Sequence, residues 1–509
     1  MTTIVPGHSI GSGVRIGPAD GDDLLIREGV DIISTDDSAI SSTTAADVRV
    51  DVAGWVHGYH SGIALAITEG VADYLVNVTQ TGRITSSFSN GIRLWGDMDT
   101  HEGSASINNA GSIEAEGIAL NVLYLDSINI NNSGHLTSTS ITDAQAYTIF
   151  ASANNIHIVN SGTISNASIE SGSAFGTGAI NILSGYGRLA GDLLSVLNTG
   201  LISSPLDAIS SNNGTDEITN TGVIEGNLLL GLGEDVYGND DQLINDGQIF
   251  GNIYLGAGED TLLGELGEIA GTINAGSGDD LVKSGLRDDI IIGGAGADEM
   301  WGGAGVDTAS YEGSADGVRI SLTNGTGRFG DAQGDRLYEI ENLIGSGRRD
   351  TLMGSAEQNE IAGGNADDII RGLGGNDILF GENGDDTISG GSGDDIISGD
   401  RHQDKLTGGT GEDIFAYLNI LDSGPAQSER DNITDFTQGQ DLIDLTELGD
   451  LFFGGTAFSG TAGEIIHYHV AGGTRTVVEI DTDGDSVADF GILLSNAAHT
   501  MTAADFLFV

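Results

Sequence analysis

Cysteine is missing from all 509 residues, which excludes a disulfide framework and any thiolate metal site. Lysine occurs only at Lys283 and Lys405, and 18 basic residues stand against 76 acidic ones, a formal charge of −58. Nucleic acid and anionic membrane surfaces are recognised through basic patches, so neither is an expected partner. No apolar run reaches the roughly twenty residues of a transmembrane helix. The opening MTTIVPGHSI lacks the charged and then apolar regions of a Sec signal. Catalytic motifs are scarce too. His101-Glu102 is followed by Gly-Ser-Ala, so no H-E-x-x-H zinc helix forms, and no G-x-S-x-G elbow stands between a strand and a helix.

What is abundant is glycine, 81 residues against four prolines, and it is periodic. From Gly363 to Tyr417 the chain reads GGNADDIIR, GLGGNDILF, GENGDDTIS, GGSGDDIIS, GDRHQDKLT, GGTGEDIFA. These blocks follow G-G-x-G-x-D-x-U-x, with U a large apolar residue. Glycines at the first, second and fourth positions are expected to supply positive φ for a tight turn. The sixth-position aspartates Asp368, Asp377, Asp386, Asp395, Asp404 and Asp413 supply hard oxygen ligands, and turn carbonyls the rest, which suits Ca²⁺. The following triplet predicts a short strand with Ile369 or Ile370, Leu379, Ile388, Ile397, Leu406 and Phe415 pointing inward. Two blocks make one coil, so aspartates eighteen residues apart are expected to share an ion. A flexible acidic linker is the competing reading, but linkers keep no apolar register.

This stretch resembles the RTX family of secreted Gram-negative proteins. The resemblance implies a Ca²⁺-loaded β-roll, folded outside the cell after type I secretion. Many bound cations would also relieve the self-repulsion of so acidic a chain, coupling folding to metal. The same pattern appears earlier. LGLGEDVYG and LGAGEDTLL lead into AGSGDDLVK, SGLRDDIII, GGAGADEMW and GGAGVDTAS, with candidate ligands Asp235, Asp260, Asp280, Asp289, Asp298 and Asp307. Arg287 takes a turn-glycine position and is expected to weaken its site. Between Tyr311 and Ile344 the register breaks in a connector. It restarts at GSGRRDTLM, whose candidate ligand is Asp350, and at GSAEQNEIA, where Asn359 replaces the aspartate.

Residues 1–228 carry a looser repeat: INNAGSI, INNSGHL, IVNSGTI, VLNTGLI, ITNTGVI and then LINDGQI. The glycines Gly54, Gly82, Gly111, Gly134, Gly162, Gly200, Gly222 and Gly247 lie 22 to 38 residues apart, and alternating apolar residues flank each turn. Such spacing predicts a solenoid, with the asparagines stacked into a ladder down one edge. A β-sandwich of hairpins remains the alternative. The units resemble the β-helix repeats of autotransporter passenger and filamentous-adhesin domains. Within them the local cluster Trp55, His57, Tyr59 and His60 could be a sugar or metal patch, or could pack on a turn.

Residues 418–509 leave the nonapeptide. SERDNITDFTQGQDLIDLTEL, TRTVVEIDTDGDSVADFGILL and the terminal Asp505-Phe-Leu-Phe-Val resemble the C-terminal domain of serralysin-type proteases. That resemblance implies a cap on the roll that also carries the secretion signal. Asp481, Asp483, Asp485 and Asp489 have Ca²⁺-loop spacing but lack a glutamate at position twelve, so calcium and a solvated turn are both open. His467 and His469 alternate on one strand face and permit a metal.

The sequence therefore predicts an all-β chain: a right-handed parallel β-helix over 1–228, RTX rolls over 229–312 and 345–417 around a connector at 313–344, and a cap over 418–509. The expected cofactor is Ca²⁺ in several copies, and the expected role structural rather than catalytic. The expected partners are the type I secretion machinery and further copies of the chain, with a cell-surface glycan possible. An adhesin or a polysaccharide-acting β-helix enzyme is the alternative.

Overall fold

The computed structural model describes residues 3–508 apart from 5–8, 14–15, 19–21, 44–46, 67–70, 98–100, 140–146, 168–177, 183–191, 213, 232–237 and 471. The chain divides into two units, Met1–Asp289 and Ile290–Val509.

In the first unit a repeating path of three strands makes each coil. One coil runs Asp47–Val52, Trp55–Gly58 and Ser61–Ala66; the next runs Ala72–Val78, Arg83–Ser86 and Asn90–Trp95. Counterparts pair in parallel, Val50 with Val76, Val56 with Ile84 and Ile63 with Ile92. All six of those side chains are fully buried. The period-two alternation thus builds an apolar interior and a polar exterior from every coil. Parallel pairing excludes the hairpin sandwich, because hairpin strands run antiparallel.

The asparagine ladder forms as expected from the Asn two residues before each glycine, and in Asn108-Asn109 and Asn131-Asn132 it is the second Asn that turns inward. Asn109 donates through Nδ2 to Oδ1 of Asn132, Asn132 to Asn160, Asn160 to Asn198, Asn198 to Asn220 and Asn220 to Asn245, each at 2.8 Å. The glycine two residues on must be glycine because coils touch there. A Cβ at Gly162 would lie 2.1 Å from the carbonyl oxygen of Gly134. The Asn-Gly coils then run directly into aspartate-bearing coils within this unit, as Gln242–Asn245 pairs with Thr261–Leu263 and that with Leu281–Gly285.

The second unit has two strands per coil. Ile369–Gly374, Thr387–Ser392 and Lys405–Thr410 stack in parallel on one face; Glu360–Asn365, Ile378–Asn383, Ile396–Ser398 and Ile414–Ala416 stack on the other. Ile370, Ile388 and Leu406 face Ile361, Leu379, Ile397 and Phe415 across a fully buried interior. Ile370 is the inward residue of its block, while Ile369 is half-buried.

The connector does not interrupt this stack. Asn342–Ile344 pairs with Thr308–Ser310 before it and with Glu360–Asn365 after it, so it is a rung. The break in register is an antiparallel excursion, Arg319–Ser321 with Thr326–Arg328, held within the same sheet by pairing of Arg319–Ser321 with Thr351–Met353. At the far end Phe490–Leu494 adds to Asp431–Ile433, and Phe506–Leu507 adds to Leu442–Asp444. Glu464–Val470, Arg475–Asp481 and Phe490–Leu494 form an antiparallel sheet there. The last coil is therefore paired rather than left as an open apolar edge.

Candidate metal centre

Each sixth-position aspartate sits at the end of a turn, two residues before its inward apolar residue, and is buried. Its two carboxylate oxygens have different surroundings. Oδ1 accepts the backbone N–H of the aspartate one coil earlier. Asp350, Asp368, Asp386 and Asp404 donate in turn to Asp368, Asp386, Asp404 and Asp431 at 2.7–2.8 Å. On the other face Asn359, Asp377, Asp395 and Asp413 donate to Asp377, Asp395, Asp413 and Asp441 at 2.8–3.2 Å. Residues one coil apart, eighteen along the chain up to Asp413 and 27 or 28 at Asp431 and Asp441, are thus bonded directly through Oδ1.

Oδ2 is the atom left over. In Asp368, Asp377, Asp386, Asp395, Asp404 and Asp413 it is buried with no hydrogen-bond partner. A buried, unsatisfied anionic oxygen is costly unless a cation meets it. It lies against the first glycine of its own block: a Cβ at Gly372, Gly381 or Gly390 would come within 2.0–2.3 Å of it. The same Cβ positions lie 2.6–2.8 Å from the carbonyl oxygens of Gly390, Gly399 and Gly408, one coil on. Carboxylate and carbonyl oxygens therefore converge on a cradle that any side chain would fill. These hard donors fit Ca²⁺. The first glycine is kept for space, which corrects the expectation of positive φ there. Positive φ falls on the second and fourth positions, and Leu373, Glu382, Asp400, Ala366 and His402 adopt it without being glycine.

The cost of burying these carboxylates shows in their affinity for protons. Burial raises Asp368 to about 8 and Asp377, Asp386, Asp395 and Asp413 to about 6, with neighbouring carboxylates adding to the effect at Asp368, Asp386, Asp395 and Asp413. Asp404 is raised to about 8 for the same reason.

Comparison with known proteins agrees with this geometry. Residues 273–309 match the RTX calcium-binding nonapeptide repeat (4 copies), and residues 298–508 match the Peptidase M10 serralysin C terminal. The chain carries RTX calcium-binding repeats and a serralysin-type C-terminal domain. No curated protein matches it. Among the solved structures similar in part are two subunits of the Azotobacter vinelandii mannuronan C5-epimerase. AlgE6R2 is 29% identical over 28% of this chain and 88% of its own, with a TM-score of 0.19. AlgE6R3 is 28% identical over 31% and 78%, with a TM-score of 0.20.

The RTX ladder reaches further than the nonapeptide pattern. Asp216, Asp241 and Asp260 donate in turn to Asp241, Asp260 and Asp280 at 2.7 Å, and Asp298 donates to Asp335 at 3.0 Å. Asp289 and Asp307 are buried likewise, with Asp307 donating to Glu341 at 2.9 Å. Asp216, Asp241, Asp335, Asp431 and Asp441 were not picked out by the glycine pattern. What they share with the others is an aspartate two residues before the buried residue, as in Asp431-Asn-Ile433 and Asp441-Leu-Ile443. Asp235 lies outside the described residues.

The two imperfect RTX blocks differ in a specific way. Serine replaces the second glycine in both, and its groups fill the cradle. Ser346 donates from N to Asp350 Oδ2 at 2.6 Å and from Oγ to both carboxylate oxygens, while Val318 donates to Oδ1. Neither oxygen of Asp350 is left over. Ser355 makes the same contacts to Asn359 Oδ1, and Asn359 Nδ2 donates to the Glu341 carbonyl at 2.6 Å. These rungs close on themselves.

In the C-terminal domain Asp481, Asp483 and Asp485 bring ligand oxygens within 4.8 Å of one another. The Asp489 carboxylate does not join that group; it accepts from N and Oγ1 of Thr482, which hold its pKa below the ordinary range. His467 and His469 do lie on one strand, but His467 stacks on Phe453 and His469 bonds the His499 carbonyl. No third ligand joins them among the described residues. In the first unit Trp55 Nε1 and His57 Nδ1 both bond Thr85 Oγ1, at 3.0 and 2.7 Å, and His57 Nε2 bonds Ser87. Those two side chains are used by the neighbouring coil.

Proposed function

We propose that this protein leaves a Gram-negative cell through a type I secretion machinery, folds outside on Ca²⁺, and serves as a non-catalytic structural component. It would assemble with further copies into a surface layer, matrix fibre or filament. The observation that carries this reading is the repetition of one oxygen cradle along consecutive coils, each with a buried Oδ2 that has no hydrogen-bond partner and that a cation would satisfy. Low Ca²⁺ in the cytosol would leave those carboxylates repelling one another and keep the chain open for export. Higher Ca²⁺ outside would close the coils.

An adhesin is the second reading, and one patch favours it. Tyr59 stacks on Phe88 at 5.6 Å, with His60 edge-on, and Phe88 is 60% exposed. Exposed stacked aromatics suit a sugar ring. A polysaccharide-acting enzyme would instead need a carboxylate pair beside such a patch. Negative-stain electron microscopy of purified protein, in millimolar Ca²⁺ and in EGTA, separates these readings. Filaments or sheets are expected only with Ca²⁺. Isolated particles under both conditions would count against assembly and direct attention to a glycan panel.

A further inference from the structure

Basic residues are rare in this chain, yet several share one sheet face of the second unit. The strands Glu299–Gly303, Arg336–Tyr338, Thr326–Arg328, Arg319–Ser321, Thr351–Met353, Ile369–Gly374, Thr387–Ser392 and Lys405–Thr410 are neighbours in that order. Their inward positions are buried, and their outward positions carry Arg336, Arg328, Arg319, Arg371 and Lys405, all exposed. The acid among these strands is Glu299, whose carboxylate accepts from Trp301 Nε1 at 3.0 Å. In a chain of charge −58 such a stripe is not the average surface.

Its centre is a built recess. Arg319 and Arg328 stand directly opposite each other across an antiparallel pair. Like charges so placed repel and cost stability, and no acidic side chain among the described residues forms an ion pair with either. Between and beside them Ser321, Asn324, Thr326 and Met353 line a hollow of about 230 Å³. Two guanidinium forks with hydroxyl and amide groups are the donor set for an oxyanion carried on a hydroxylated group.

We propose that this face binds an acidic polysaccharide, with a carboxylate or sulfate of one sugar held between Arg319 and Arg328. Adjacent strands are about 4.8 Å apart, close to the rise per sugar of an extended glycan; Arg336 lies one strand beyond Arg328 and Arg371 two strands beyond Arg319, within reach of further units of the same glycan. Trp301 and Tyr338, stacked at 4.1 Å beside Arg336, offer an apolar surface to a sugar ring at that end. The recess admits a single protruding group, which a flexible glycan presents and a flat protein surface does not. Long-range repulsion from the rest of the molecule fades beyond about 8 Å at physiological salt, leaving the local face to decide. This site is independent of the structural role proposed above.

The test is titration calorimetry of the full-length, Ca²⁺-loaded protein with a short oligogalacturonate, a short dextran sulfate, neutral dextran and inorganic sulfate. Binding of at least one acidic glycan is expected, with neutral dextran silent; the two acidic arms tell carboxylate from sulfate. Arg319→Ser with Arg328→Ser should weaken binding by about 10- to 100-fold, the loss of charge-assisted bonds from both sides. Circular dichroism and calcium content should be unchanged. Lysine at both positions should restore part of the affinity, and Arg49→Ser in the first unit should leave it intact. Absence of acidic-glycan binding, equal binding of neutral dextran, inorganic sulfate binding as tightly as the glycans, or full affinity in the double serine variant would each overturn the proposal. So would a sedimentation shift without glycan that the double variant abolishes, which would give the face to a second copy of the chain.

Discussion

At the scale of the residue, the central contrast is between the two oxygens of one carboxylate. Oδ1 is spent on the backbone of the preceding coil, and Oδ2 is held in reserve beside a glycine. Gly390 shows how little room there is, since its Cβ would lie 2.1 Å from Asp395 Oδ2. Gly390→Ala is therefore expected to lower the calcium stoichiometry, measured by equilibrium dialysis, by at least one ion. The loss should come without unfolding the Asn-Gly coils, and an unchanged stoichiometry would refute the cradle. The same carboxyl groups set a pH dependence for the metal-free protein. Their folded values of about 6 to 8 lie above the ordinary 3.8, so the folded roll binds protons that the unfolded chain releases. The stability from this source is present below about pH 4 and is lost as pH rises through 6 to 8. Thermal melts in EGTA should accordingly show a lower Tm for the roll at pH 8 than at pH 5. A Tm that rises over that interval would contradict it.

At the scale of the element, two ladders stack coils by different chemistry. The asparagine ladder is neutral and self-sufficient: each amide gives Nδ2 to the next side chain and to nearby carbonyls, as Asn160 does to Asn198 Oδ1 and the Leu201 carbonyl. Removing one rung strands buried partners above and below. Asn160→Ala is expected to cost about 2–4 kcal/mol, readable as a lowered Tm equally with and without Ca²⁺. The aspartate ladder is charged and incomplete until a cation arrives. Serine marks where it is interrupted. Ser346 and Ser355 donate to the side-chain oxygens of Asp350 and Asn359, so these blocks satisfy by hydrogen bonds what the others leave to a cation.

At the scale of the whole molecule, 76 acids and 18 bases make calcium part of the fold's electrostatics rather than an accessory. Far-UV circular dichroism in EGTA should show reduced strand content that Ca²⁺ restores, with a residual β signal from the asparagine coils. Identical spectra in both conditions would separate folding from metal.

The sequence by itself determined the repeat, its inward residues, its calcium-binding class and the asparagine ladder, because each follows from a local period. Alternation fixes which face is inside, and the nine-residue spacing places an aspartate at every turn. Other features rest on partners distant in the chain, which no local pattern encodes. Only the tertiary structure decided that the first glycine serves space rather than φ, since the constraint is an oxygen five residues on and a carbonyl in the next coil. It also brought Asp431 and Asp441 into the ladders, because the D-x-U signature survives without glycines once neighbouring coils supply the register. It engaged the Asp489 carboxylate with Thr482 and left it out of the oxygen cluster of Asp481, Asp483 and Asp485. And it placed Arg319 opposite Arg328, a juxtaposition made by an antiparallel excursion within an otherwise parallel stack.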